Sequence, residues 1–117
     1  ENPGVLSPDR GFQASAAGKT ITMIETKRGK IVWKSEVHKD TVTALVFSVD
    51  GKLLLSAGKD AKIVVSDVAS GKMTLSIDHK GGDIVTLGVS PDGQKVLATE
   101  KDGTVHQWEI GTGKKIP

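Results

Sequence analysis

The chain has no cysteine, few aromatic residues and almost no net charge. Without cysteine, neither a disulfide framework nor a thiolate metal site is possible. The formal net charge of +2 is too small to indicate a nucleic-acid partner, and two tryptophans, two phenylalanines and no tyrosine make a poor platform for stacking bases. No apolar run approaches the roughly 18 residues that cross a bilayer. We therefore expect neither nucleic acid nor a membrane among the partners.

The amino-terminal residues, ENPGVLSPDR, have neither the charged start nor the apolar centre of a signal peptide. The absence of cysteine leaves the compartment open, because a reducing cytosol and an exported protein without disulfides both fit. Of the two, a cytoplasmic location is slightly favoured.

What the sequence does contain is one pattern that occurs three times. The copies run from Ser7 to Lys30, from Ser48 to Lys72 and from Ser90 to Lys114. From Ile21 onward, equivalent residues are 42 positions apart, as in the series Ile21, Ile63 and Val105. Ser7 and Ser48 are 41 apart, because the first copy lacks one residue between Ser15 and Ile21. Each copy reads as turn, strand, turn, strand, turn, which is typical of a meandering antiparallel sheet.

A period of roughly 40–45 residues with about four short strands per repeat is typical of the blades of a β-propeller. We therefore predict a single all-β domain over residues 1–117, built from three consecutive four-stranded antiparallel sheets. The blades are expected at about 1–37, 38–78 and 79–117. The first strand of the first blade and the last strand of the third blade are expected to be truncated, so the ring is incomplete.

The middle copy has continuous apolar runs, whereas a strand with one exposed face would alternate apolar and polar residues. These runs are Leu53 to Leu55 and Ile63 to Val65. A continuous run predicts a strand that is covered on both faces. In a propeller, the neighbouring blades supply that cover, whereas three blades alone leave two end faces open.

The repeats resemble those of the WD40 family over essentially the whole chain. His38 and His79 stand where that family has its histidine, although Val37 and Asp78 replace the preceding glycine. Ser-Pro-Asp-Gly at 90–93 matches the family turn, and Trp108 matches the closing tryptophan. Bacterial propellers of the YVTN type are the alternative, but the tryptophan, the two histidines and the SAGKD turn favour WD40.

The resemblance implies a buried chain of hydrogen bonds from Trp through Ser and His to Asp in each blade. No copy carries all four residues: the middle one has Ser66 in place of Trp, and the third has Ala98 in place of Ser. We expect His79 and Asp102 to lie close together and Trp108 to be buried. The expected structural hydrogen-bond positions are His38, Ser56, Asp60, His79, Asp102 and Trp108.

The residue pattern indicates no catalytic, cofactor-binding or metal site. The spacing of the three histidines does not match a pattern such as HExxH, and His106 is interpreted as a half-buried strand residue. There is no GxSxG elbow and no glycine-rich loop before a helix. Asp60 and Asp102 are interpreted as turn formers that bind no metal.

As to function, the resemblance implies a rigid, non-catalytic scaffold whose loops bind a protein or peptide, with further blades or copies of itself completing the ring. The candidate contact residues are Lys39, Asp40, Thr41, Lys59, Lys80, Gly81, Gly82, Asp83 and Lys101. The alternative is a propeller segment of a larger cofactor-dependent enzyme or electron-transfer protein. That alternative needs charged or aromatic groups on the innermost strands, which carry instead Thr43, Ala44, Val46, Thr86 and Gly88.

Overall fold

A computed structural model describes residues 4–79 and 83–116. The contact positions Lys80, Gly81 and Gly82 lie outside the described residues. Blade 1 consists of β1 (Gly4–Leu6), β2 (Phe12–Ala17), β3 (Thr20–Glu25) and β4 (Lys30–Ser35). Blade 2 consists of β5 (Val42–Phe47), β6 (Leu53–Gly58), β7 (Lys62–Asp67) and β8 (Met73–Asp78). Blade 3 consists of β9 (Ile84–Val89), β10 (Lys95–Glu100), β11 (Val105–Glu109) and β12 (Lys115–Ile116).

Each blade is a four-stranded antiparallel meander in which strands pair in chain order. The prediction of an all-β fold of three such sheets is confirmed. None of the described residues forms a helix of the length and apolarity that a membrane crossing needs.

The first turn of each repeat is built by a serine and an aspartate two residues later. In blade 2, Ser48 Oγ donates to Asp50 Oδ1 at 2.6 Å, and the same oxygen accepts Lys52 N at 3.0 Å. These bonds hold the pKa of the Asp50 carboxyl below its usual range. Gly51 then takes φ +73°, a left-handed conformation that suits glycine. Blade 3 repeats this turn with Ser90, Asp92 and Gly93, and blade 1 with Ser7, Asp9 and Arg10.

The blades are stacked so that blade 2 lies between the other two. Two apolar cores result. The core between blades 1 and 2 includes Ala14, Ile21, Met23, Phe47 and Leu54. The core between blades 2 and 3 includes Leu55, Ile63, Val65, Val96 and Trp108.

Burial along the strands follows from this stacking. In blade 2, Leu54 and Leu55 are both buried, as are Ile63, Val64 and Val65, so the prediction of strands covered on both faces is confirmed. In contrast, β2 and β10 alternate between buried and more exposed residues, because only one face of each end blade meets a neighbour.

Candidate functional site

Blade 2 contains a closed hydrogen-bond network around His38. The side chain is buried, with Nδ1 3.0 Å from Asp60 Oδ1 and Nε2 2.8 Å from Ser56 Oγ. With a proton on Nδ1, the ring donates to the carboxylate and accepts from the hydroxyl, so both nitrogens are satisfied. The network ties the connection between blades 1 and 2 to β6 and to the turn that follows it.

Asp60 is the acceptor at the centre of this network. Lys39 N donates to its Oδ2 at 2.9 Å, and Lys62 N donates to its Oδ1 at 3.3 Å. Burial raises the pKa of the Asp60 carboxyl, but the hydrogen bonds from Lys39 N and His38 outweigh burial and hold the pKa below its usual range. The carboxylate therefore works as an ionised turn-organising group.

Gly58 provides the space for this pair. A Cβ at Gly58 would lie 2.8 Å from Asp60 Oδ1 and 2.8 Å from His38 Nδ1, closer than real Cβ contacts come. Any side chain at this position would therefore displace the aspartate, the histidine or both.

Blade 3 has Glu100 at the position equivalent to Gly58, and the contacts of its histidine change. Glu100 Oε2 lies 3.4 Å from His79 Nε2, whereas Asp102 is exposed and accepts Thr104 N at 2.9 Å. The expected pairing of His79 with Asp102 is therefore corrected: the carboxylate beside His79 is that of Glu100. The reason is steric, because the Glu100 side chain starts where Gly58 leaves room for an aspartate.

His79, His106 and Trp108 pack together between blades 2 and 3. The ring centroids of His79 and His106 are 4.8 Å apart, and those of His79 and Trp108 are 5.7 Å apart at 87°. Trp108 is 3% exposed, so its predicted burial is confirmed. His106 is half-buried on β11, also as predicted, and its Nε2 lies 2.5 Å from Glu100 Oε2.

Sequence reasoning missed Glu100. The signal was nonetheless present in the repeat register: Glu100 and His106 stand where the middle copy has Gly58 and Val64. A comparison of the copies that is restricted to the motif positions of the family does not include these two positions, so it misses both substitutions.

The described candidate contact residues lie at one end of the blades. In antiparallel meanders, alternate connections lie at the same end, and the β4–β5, β6–β7, β8–β9 and β10–β11 connections share it. Lys59 N donates to Thr41 O at 2.8 Å and Lys101 N to Asp83 O at 3.2 Å, so the loops are joined in pairs. The six described residues, all exposed, form what we call the loop face: Lys39, Asp40, Thr41, Lys59, Asp83 and Lys101.

Two family models match the chain. Residues 6–88 match the anaphase-promoting complex subunit 4 WD40 domain, and residues 71–109 match the WD domain, G-beta repeat.

Several curated proteins are similar over most of the chain. Target of rapamycin complex subunit wat1 of Schizosaccharomyces pombe is 29% identical over 108 residues, which is 91% of this chain and 34% of that protein. WD repeat-containing protein JIP5 of Phaeosphaeria nodorum is 31% identical over 114 residues, or 92% of this chain and 26% of that protein. The chain thus spans about a third or less of the length of these relatives.

Among solved structures, hydrazine synthase of Kuenenia stuttgartiensis is similar in fold. Its TM-score is 0.88 at 18% sequence identity, and the match covers 97% of this chain and 34% of that one. At this identity the likeness concerns the fold alone.

Proposed function

The chain belongs to the WD40-repeat family, and we propose that it is a non-catalytic segment of a protein-interaction scaffold whose ring is completed by further blades. One of the named relatives is a WD repeat-containing protein, and a scaffold role is general in the WD40-repeat family. The chain covers only part of their length, so other segments or other chains would supply the remaining blades.

The observation that carries this proposal is a difference in burial between equivalent residues. Ile63 in blade 2 and Val105 in blade 3 occupy the same repeat position, yet Ile63 is 0% exposed and Val105 is 54% exposed. Blade 3 covers the first of these side chains, and none of the described residues covers the second. Leu6, 52% exposed on β1, is in the same situation at the other end of the stack. Exposed apolar side chains on a sheet face favour association.

The loop face is the surface that we propose for a protein or peptide partner. Hydrogen bonds join its loops in pairs, and the network of His38 and Asp60 also fixes the β4–β5 loop against the β6–β7 turn, which preorganises this part of the surface for a partner. Rigidity reduces the entropic cost of association. The face carries lysine from each described turn, at Lys39, Lys59 and Lys101, beside the acidic Asp40 and Asp83.

A matched pair of charge variants tests this assignment. The triple change Lys39→Glu, Lys59→Glu and Lys101→Glu alters the loop face. The triple change Lys30→Glu, Lys72→Glu and Lys114→Glu makes the same charge change at the opposite end of the blades. Quantitative affinity purification from the source cells is expected to lose a defined set of proteins with the first variant and to retain them with the second. Equal retention or equal loss in both variants would contradict the assignment.

A further inference from the structure

Two of the positions at which blade 3 differs from blade 2 introduce a group that can bind a metal. Glu100 replaces Gly58 at the end of the second strand, and His106 replaces the fully buried Val64 on the third strand. The network of blade 2 needs neither group. Both new side chains point toward His79, which is the equivalent in blade 3 of His38 in blade 2.

The three side chains converge on one point. Glu100 Oε2 is 2.5 Å from His106 Nε2 and 3.4 Å from His79 Nε2, and the three ligand atoms lie within 4.8 Å of one another. His79 is 4% exposed, and Glu100 is similarly enclosed, with a side chain 11% exposed. The cluster is therefore built into the protein and is not a chance meeting of surface groups.

His79 provides the second observation. Its Nε2 is buried and has no hydrogen-bond partner among the described residues, since the 3.4 Å contact with Glu100 does not form a hydrogen bond. A buried nitrogen without a partner costs free energy. The equivalent His38 has partners on both nitrogens, because Ser56 stands where blade 3 has Ala98. A ligand in the cluster would satisfy the His79 nitrogen.

Two imidazoles and one carboxylate form a donor set that suits zinc, with a fourth position open to water. Ligand atoms about 2.0–2.1 Å from a tetrahedral ion are about 3.3 Å apart. The separation of Glu100 and His79 already matches this distance. Glu100 Oε2 and His106 Nε2 are joined by a hydrogen bond. When a metal binds, these two atoms have to separate and the proton between them has to be released.

A cavity adjoins the two histidines of the cluster. It has a volume of about 340 Å³ and lies between blades 2 and 3, with His79 and His106 among the residues of its wall, together with Ser76 and Asp78 of β8. This volume admits an ion and the water that would complete its coordination.

We propose that His79, Glu100 and His106 form a zinc-binding site between blades 2 and 3. The ion would tie the connection between these blades to β10 and β11, and so fix blade 3 in place. This role is independent of the loop face and of any partner bound there.

The test is a titration of the untagged chain with zinc chloride after chelator treatment and desalting, followed by isothermal calorimetry. We expect one ion per chain. His106→Val is compatible with the fold, because valine occupies the equivalent position in blade 2, and Glu100→Gln preserves the side-chain size. Each is expected to weaken binding by at least about 100-fold, since loss of even an outer-shell partner costs 10–100-fold. Asp102→Asn, which removes a neighbouring exposed carboxylate, is the control and is expected to bind zinc as the parent chain does.

A second readout locates the ion. In a Trp33→Phe background, Trp108 is the remaining tryptophan, and its ring centroid lies 5.8 Å from that of His106. Co²⁺ is expected to develop the visible absorption of a tetrahedral complex and to quench Trp108 fluorescence with the same affinity. Failure of the parent chain to bind zinc at millimolar concentration would overturn the proposal. Parent-like binding by a folded His106→Val or Glu100→Gln variant would overturn it as well.

Discussion

Trp33 lies directly against Gly71, so close that a Cβ on the glycine would come within 2.7 Å of the indole ring. The tryptophan belongs to the outer strand of blade 1 and the glycine to the β7–β8 turn of blade 2. Trp33 Nε1 donates to Val68 O at 2.7 Å, which fixes the ring in this position. The next pair of blades repeats the arrangement, because Leu75 lies 3.3 Å from a Cβ built at Gly113. The outer strand of one blade thus packs on a glycine turn of the next.

This contact leads to a prediction with a matched control. Gly29 and Gly71 are equivalent residues with φ +65° and +76°, but a Cβ at Gly29 meets nothing within 4 Å. Gly29→Ala is expected to cost about 1 kcal/mol from backbone strain alone. Gly71→Ala is expected to cost about 1–3 kcal/mol more, because it also displaces Trp33. Urea denaturation measures the loss of unfolding free energy in each variant. Equal losses in the two variants would show that the indole contact contributes nothing.

The turn of the first copy contains strain that can be removed. Arg10 has φ +63°, where the other two copies have Gly51 and Gly93. Arg10→Gly is expected to raise the free energy of unfolding by about 0.5–1 kcal/mol. Arg10→Ala removes the same side chain but retains the strained conformation, so it should give no gain. If thermal melts show the same change for both variants, the strain argument is wrong.

Burial of Trp108 predicts a large cost for its removal. Trp108→Ala is expected to destabilise the chain by roughly 3–5 kcal/mol, the usual range for a buried aromatic side chain. The indole fills the space between blades 2 and 3, so the loss includes a cavity. Unfolding by denaturant, monitored by circular dichroism, measures this loss of stability. A loss under about 1 kcal/mol would be incompatible with a tryptophan packed between the blades.

Stability is expected to depend on pH through Asp60. Its pKa in the folded chain lies below the ordinary value of 3.8, so the carboxylate stabilises the fold above that pH. This contribution is lost as the pH falls through the folded-state pKa. Asp60→Asn is therefore expected to flatten the fall in unfolding free energy as the pH drops below about 4. An unchanged slope in the Asp60 variant would contradict the account of its hydrogen bonds.

Much of the architecture could be predicted because the repeats are regular. The 42-residue period located the blades, and the apolar runs around Leu54 and Val64 indicated that blade 2 is covered on both faces. The grouping of His38, Ser56 and Asp60 was expected from the family resemblance, and the structure brings these three side chains together.

The parts that could not be predicted depend on side-chain placement across strands and blades. His79 was expected beside Asp102, because the repeat period places an aspartate at the equivalent position. The period does not show the steric effect of Glu100 at the position where blade 2 has Gly58. Likewise, periodicity places Trp33 on an outer strand without saying which turn of the next blade it meets. Both relationships require the relative position of two chain segments that are far apart in the sequence.

The three blades expose apolar side chains on two end faces, and we propose that these faces need a partner. Light scattering on the purified chain, with a hydrophobic dye and a denaturation curve on the same sample, tests this claim most directly. We expect either a mass of two or more copies, or a monomer that binds the dye. Val105→Glu should reduce the association or the dye binding, because it places a charge on an exposed end face. A monodisperse monomer that unfolds cooperatively and binds no dye would contradict the claim.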